Sequence, residues 1–109
     1  MPQFTIYKNP GRNEDIPFVV QVQSTRLDQS VGRLIVPLVR VGHSAVRDHA
    51  LTPHLVVMQQ VVFADVLNMA TLFKARLEEP LLLLGESDQD RIIQAIDEMI
   101  CRAYTPFTR

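Results

Sequence analysis

Three histidines, His43, His49 and His54, stand six and five residues apart with Asp48 between the first two. Imidazole and carboxylate are groups that hold zinc or pass protons near neutral pH. The spacing argues against a metal, because helical ligands come at i and i+4 and structural zinc sites add closely spaced cysteines. Solvated loop histidines are the expectation, the two in the middle of the loop being the most exposed. Cys101 follows a helical pattern and has only Arg102 beside it to favour a thiolate, while a helix C-terminus disfavours one. Glu78-Glu79 and Asp88 with Asp90 are paired acids of the kind a glycosidase or a two-metal site uses. Their settings read instead as a solvated loop and a helix N-terminus. Ser24 lacks a nucleophile elbow, and no glycine cluster resembles a phosphate loop. Arg12, Arg26, Arg33, Arg40 and Arg47 have no aromatic residues interleaved for stacking on single strands. No catalytic residue, metal or cofactor is expected, which leaves binding as the chemistry to look for.

The elements that would carry a binding surface begin with Phe18 to Leu38, two β-like runs joined by a polar loop ending in Gly32. Phe18, Val20, Val22 and Ser24 alternate with Val19, Gln21 and Gln23, the pattern of a strand with one wetted side. In the second run, Arg33 to Leu38, Pro37 lacks an N–H, so the strand is expected to end there or to lie at an edge that a partner can reach. Phe4-Thr5-Ile6-Tyr7 predicts a first strand. It is expected to pair antiparallel with the second around a loop from Lys8 to Pro17, placing Phe4 and Ile6 in one core with Phe18 and Val20. Asn9-Pro10-Gly11 is a turn signal in which Gly supplies a positive φ.

From Val41 to Pro53 no period is sustained, and a loop with room for a short helical turn is expected. His54 to Val66 reads as two apolar strands parted by Gln59-Gln60, although that junction lacks the usual φ > 0 residue of a two-residue hairpin. Asp65 to Glu79 has two readings. Val66, Met69, Ala70, Phe73 and Leu77 fall at helical spacing, whereas a short turn followed by a strand fits the resemblance described below. Leu81 to Leu84 reads as a short buried run. Ser87 is a suitable N-cap with Asp88 and Asp90 in the first turn, so a helix is expected over about 87–103, with a tail at 104–109 that Pro106 keeps from helix. Ile92, Ile93, Ala95, Ile96, Met99, Ile100 and Ala103 form its apolar face; Asp90, Arg91, Gln94, Asp97, Glu98 and Arg102 are expected to be mostly solvated.

The bulk properties agree with a single globular domain. The chain has 109 residues, 47% hydrophobic and 21% charged, enough to bury roughly 60 to 70% of its unfolded surface in one core. A net charge of −1 gives no global attraction to nucleic acid. One cysteine excludes an intrachain disulfide framework and suits a reducing compartment. With no leader-like or membrane-length apolar run, a cytoplasmic protein is expected.

Gln3 to Tyr7, then Phe18 to Ser24, then Gly32 to Leu38, in that order and spacing, resemble the CcdB family of bacterial toxins from toxin–antitoxin pairs, and the likeness returns in Ile92 to Ile100. The resemblance implies a mainly β fold with a C-terminal α-helix, an SH3-like β-barrel of antiparallel strands. It also implies a homodimer that poisons the DNA gyrase A subunit and is neutralised by a CcdA-like antitoxin, with no direct contact to nucleic acid and no membrane partner. Gyrase binding would fall on Ser24, Arg26 and Leu27 after the second strand, and on Asp97, Ile100, Cys101, Arg102, Ala103 and Tyr104 at the end of the helix. The family presents Trp-Gly-Ile where this chain has Cys101-Arg102-Ala103, and Tyr104 or Phe107 offers a replacement ring. Two alternatives keep the fold: a homologue that binds an antitoxin or another protein without poisoning gyrase, and a MazF-like endoribonuclease pairing Arg12 or Arg33 with His43. An unrelated small binding domain is a third. A dimer is also argued from surface to be covered, at the Pro37 strand and on the helix around Ile92, Ile93, Ile96 and Ile100.

Overall fold

The structure, a computed structural model, describes residues 2–42 and 47–100. Its order is β1 (Thr5–Lys8), β2 (Phe18–Gln21), β3 (Gly32–Arg40), β4 (His54–Val57), β5 (Gln60–Ala64), β6 (Ala70–Phe73), β7 (Pro80–Leu83) and α1 (Glu86–Ile100), with single 3-10 turns at Thr25–Leu27, Val66–Asn68 and Lys74–Arg76. All pairings are antiparallel, in the order β4-β5-β3-β2-β1-β7, and β6 also pairs with β3. The sheet forms a half-barrel whose inner face α1 covers. The mainly β fold with one C-terminal helix is therefore the one expected.

β1 and β2 pair with Ile6 opposite Val20. Phe4, Ile6, Phe18 and Val20 share one core with Val36, Leu38, Leu55, Val62 and the helix residues Ile92 and Ala95. The wetted side expected of β2 is absent. Gln21 is fully buried, because β2 lies between β1 and β3, and Tyr7, Val19 and Ile35 form a second cluster over its other face with Leu72 and Leu77.

The expectation for Pro37 is overturned. β3 runs through it to Arg40, and Val19 lies opposite Pro37. The Val22 N–H to Leu34 carbonyl bond sets the even residues of β3 toward β2, so Pro37 faces the other side, where the ladder passes from β6 (Gly32 to Ile35) to β5 (Leu38 to Arg40). The missing N–H falls at that gap, and the Pro37 carbonyl accepts from the Asp65 N–H. A proline costs a central strand nothing where no acceptor faces it.

Gly11 does not take the positive φ expected of it. The turn is made by Asn9, whose side chain accepts from the Gly11 N–H and donates to the Ile16 carbonyl. The β4–β5 hairpin does form, with Met58 (φ 48°) and Gln59 (φ 69°) as its two left-handed central residues. Over 65–79 the turn-and-strand reading holds and the helix does not form. Leu81–Leu84 is not a buried run: on β7, which among the described residues pairs with β1 alone, Leu81 and Leu83 are exposed, while Leu84, just past the strand, is buried. The helix begins at Glu86, with the Gln89 N–H bonded to the Gly85 carbonyl, so Ser87 lies within the first turn. Ile92 and Ala95 are buried, Ile96 and Met99 pack on the core, and Ile93 and Ile100 are exposed.

Candidate protein-binding surface

The loop between β2 and β3 is held by three side chains, Ser24, Gln23 and Arg33. Ser24 caps the Thr25–Leu27 turn, its hydroxyl oxygen accepting from the Arg26 N–H at 3.1 Å. Gln23 Nε2 donates to the carbonyls of Leu27 and Gly32, both at 3.1 Å, and its Oε1 accepts from the Leu34 N–H at 3.0 Å. Arg33, only 7% exposed, turns its guanidinium back under the loop. Nη2 donates to the Asp28 carbonyl at 3.0 Å, and Nη1 donates to those of Gly32 and Ser30. A planar fork with five donors suits this convergence of carbonyls in a way a lysine cannot.

The side chains above this frame face outward. Leu27 is 57% and Val31 64% exposed, and Arg26 is exposed between Ser24 and Leu27. Two large apolar groups on a polar loop that is already ordered resemble a preorganised contact surface more than unfinished core. Tyr7 lies below: burial pushes its phenol up, the Arg33 charge pulls it down, and Asp28 adds to the upward push.

Of the residues expected to bind, Ser24, Arg26 and Leu27 come together on this one turn. Asp97 and Ile100 lie exposed on the last turns of α1, a different element, whose packing includes the Val66–Asn68 turn. Cys101, Arg102, Ala103, Tyr104 and the tail lie outside the described residues, as does His43. In the sequence Gln23 reads only as part of a polar strand face, and Arg33 only as one of five scattered arginines and an RNase candidate. The visible signal was a polar pair flanking a loop with a glycine at its end.

Two grooves lie elsewhere. One, of about 670 Å³, runs between the 9–17 loop and the tip of the β4–β5 hairpin, where Lys8, Arg12 and Arg40 outnumber Glu14 and Met58 forms part of the wall. The other, of about 280 Å³, lies between Asp48, His49 and the helix residues Arg91 and Gln94. Arg91 is not the solvated side chain expected from its helical position. Its Nη2 meets the Asp48 carboxylate at 3.0 and 3.1 Å and its Nη1 donates to the His54 carbonyl at 2.6 Å, with Asp88 3.5 Å away. Among the described residues no three His, Cys, Asp or Glu side chains converge as metal ligands, and no helix is long and apolar enough to cross a membrane.

No individually curated protein matches the chain. The family model for the CcdB protein matches residues 3–101, and its members are non-enzymatic toxins of toxin–antitoxin pairs. With that match spanning the half-barrel, the loop above Arg33 and the helix, the chain belongs to the CcdB family.

Proposed function

We propose that this chain is the toxin of a type II toxin–antitoxin pair, that it binds the DNA gyrase A subunit, and that a CcdA-like antitoxin neutralises it. The observation that carries the gyrase reading is the braced 24–32 loop, with Arg26, Leu27 and Val31 presented outward on a family framework. Asp97 and Ile100 on the outer side of the helix end supply the second half of the contact. The groove lined by Lys8, Arg12 and Arg40 suits an acidic antitoxin segment, since three cations against one acid favour negative charge. Exposed Leu67, Phe73, Leu83 and Ile93 supply apolar surface for a homodimer.

A second reading rests on Cys101-Arg102-Ala103. Loss of an aromatic anchor removes a hot spot of about 2 kcal/mol or more, over tenfold in affinity, which favours a homologue that binds its antitoxin without poisoning gyrase. The endoribonuclease reading loses one nominee, because the Arg33 guanidinium is engaged with the backbone.

Calorimetric titration of the chain into the gyrase A dimerisation domain, beside Leu27→Arg and a chain ending at Ala103, separates these readings. Micromolar or tighter binding lost in both variants supports gyrase binding through the loop and the tail. No heat from folded protein, with the antitoxin still bound, leaves the second reading.

A further inference from the structure

The hairpin register fixes which backbone groups of β4 face outward. Pro53 accepts from the Ala64 N–H, so in the pairs Leu55 with Val62 and Val57 with Gln60 the hydrogen-bonding groups of β4 point at β5. Those of His54 and Val56 point away from the sheet. Among the described residues β4 is the last strand on this side, and an open edge is a template for another strand.

At His54 both outward groups are occupied by side chains that also bind each other. The His54 N–H donates to Asp48 Oδ1 at 3.2 Å, the His54 carbonyl accepts from Arg91 Nη1 at 2.6 Å, and Arg91 Nη2 holds the Asp48 carboxylate. The ion pair thus occupies the place of one residue of a neighbouring strand, built from a loop and a helix. Val56, two residues along, has no partner on that side among the described residues. Its side chain is 68% exposed, and that of its cross-strand neighbour Val61 is 49% exposed.

We infer that the Asp48–Arg91 pair is a cap that keeps the outer edge of β4 from adding to β4 of a second copy of this chain. The edge is self-complementary: antiparallel pairing centred on Val56 joins the N–H and carbonyl of Val56 to those of its symmetry mate. It also continues Val61 and Val56 into one apolar stripe across both copies. The same register sets His54 opposite the partner's Met58, and the capping side chains stand in that path at both ends. This inference is independent of the gyrase reading and concerns a surface apart from the 24–32 loop.

The test is sedimentation velocity of the full chain over a hundredfold concentration range. Arg91→Ala frees the His54 carbonyl and Asp48→Ala frees its N–H; each is expected to form species larger than the wild type at the same concentration. Adding Val56→Pro, which removes the outward donor without touching the β4–β5 ladder, returns both to the wild-type distribution. Wild-type sedimentation of the folded single variants overturns the inference, as does association that survives Val56→Pro. Asp48 is exposed in a loop, so Asp48→Ala carries the test if Arg91→Ala does not fold.

Discussion

Replacing Arg33 by methionine keeps an unbranched apolar stem and deletes the guanidinium that holds the carbonyls of Asp28, Ser30 and Gly32. Hydrogen bonds to a charged donor are worth about 1.5–3 kcal/mol each when the acceptor is left without a substitute. Here Ser30 is exposed and Asp28 and Gly32 are half-buried, so water replaces much of what is lost. The loss in global stability is therefore expected to be about 2–3 kcal/mol, well below the sum of three bonds. The local effect is larger in kind. The amides of Leu27, Asp28 and Ser30 are bonded to Ser24, Thr25 and Leu27 within the loop, and their protection against hydrogen exchange reports its order. In the variant these three amides are expected to exchange faster, by more than the change in global stability explains. Affinity of the loop for its target is expected to fall, because each residue that must be ordered on binding costs about 1 kcal/mol. Urea denaturation, hydrogen exchange and calorimetry read the three effects separately. Wild-type protection of Leu27, Asp28 and Ser30 in folded Arg33→Met would refute the view that Arg33 organises this surface.

The hairpin pair Met58→Asn with Gln59→Gly is expected to raise stability by about 1–2 kcal/mol in thermal unfolding, since Asn-Gly accepts the two positive φ values that Met and Gln hold under strain. Gly32→Ala places a Cβ 2.8 Å from Thr71 Cγ2 and is expected to cost about 1–3 kcal/mol; adding Thr71→Ser, which removes that methyl, should recover most of the loss in a denaturation cycle. The Asp48 carboxyl is held below its ordinary value by the His54 N–H first, against an upward push from burial, with the Arg91 charge and hydrogen bond adding to the downward shift. With a depressed folded value its contribution is complete above the ordinary value of 3.8 and is lost as pH falls through the lower folded one. NMR titration of Asp48, beside Arg91, Asp88, His49 and His54, should therefore move upward in Arg91→Ala.

Alternation made the β1–β2 pair and its core legible, because Ile6, Phe18 and Val20 repeat at the period of a pleated strand. The helix was legible for the same reason at period 3.6, to within a residue at its start. Pro37 was misread because its cost depends on whether an acceptor faces it, and that is decided by where β6 ends and β5 begins, a long-range matter. Gln21 was misread because alternation reports only that a face contains a polar group, and the covering residues Leu72 and Leu77 lie about fifty positions away. The role of Arg33 escaped notice because it acts on backbone carbonyls, and that of Arg91 because its partners, the His54 carbonyl and the Asp48 carboxylate, lie 37 and 43 positions away. The hairpin at Met58-Gln59 formed against local preference, the inward residues Leu55, Val57, Val62 and Ala64 on either side being buried firmly enough to impose it.

The change of neighbour along β3 also divides the ladder on that side of the strand into two sets of bonds. From Gly32 to Ile35 the strand is held on that side by β6 and from Leu38 to Arg40 by β5, while β2 on the other side spans the change from Ile35 to Leu38. No bond from the first set needs to break for the second to part. The β4–β5 arm is thus tied to β1, β2 and the first half of β3 through side chains of the shared core and not through one continuous ladder on that side of β3. Proline at the junction makes the separation cleaner, because it removes the one amide through which opening on one side could have recruited a bond on the other.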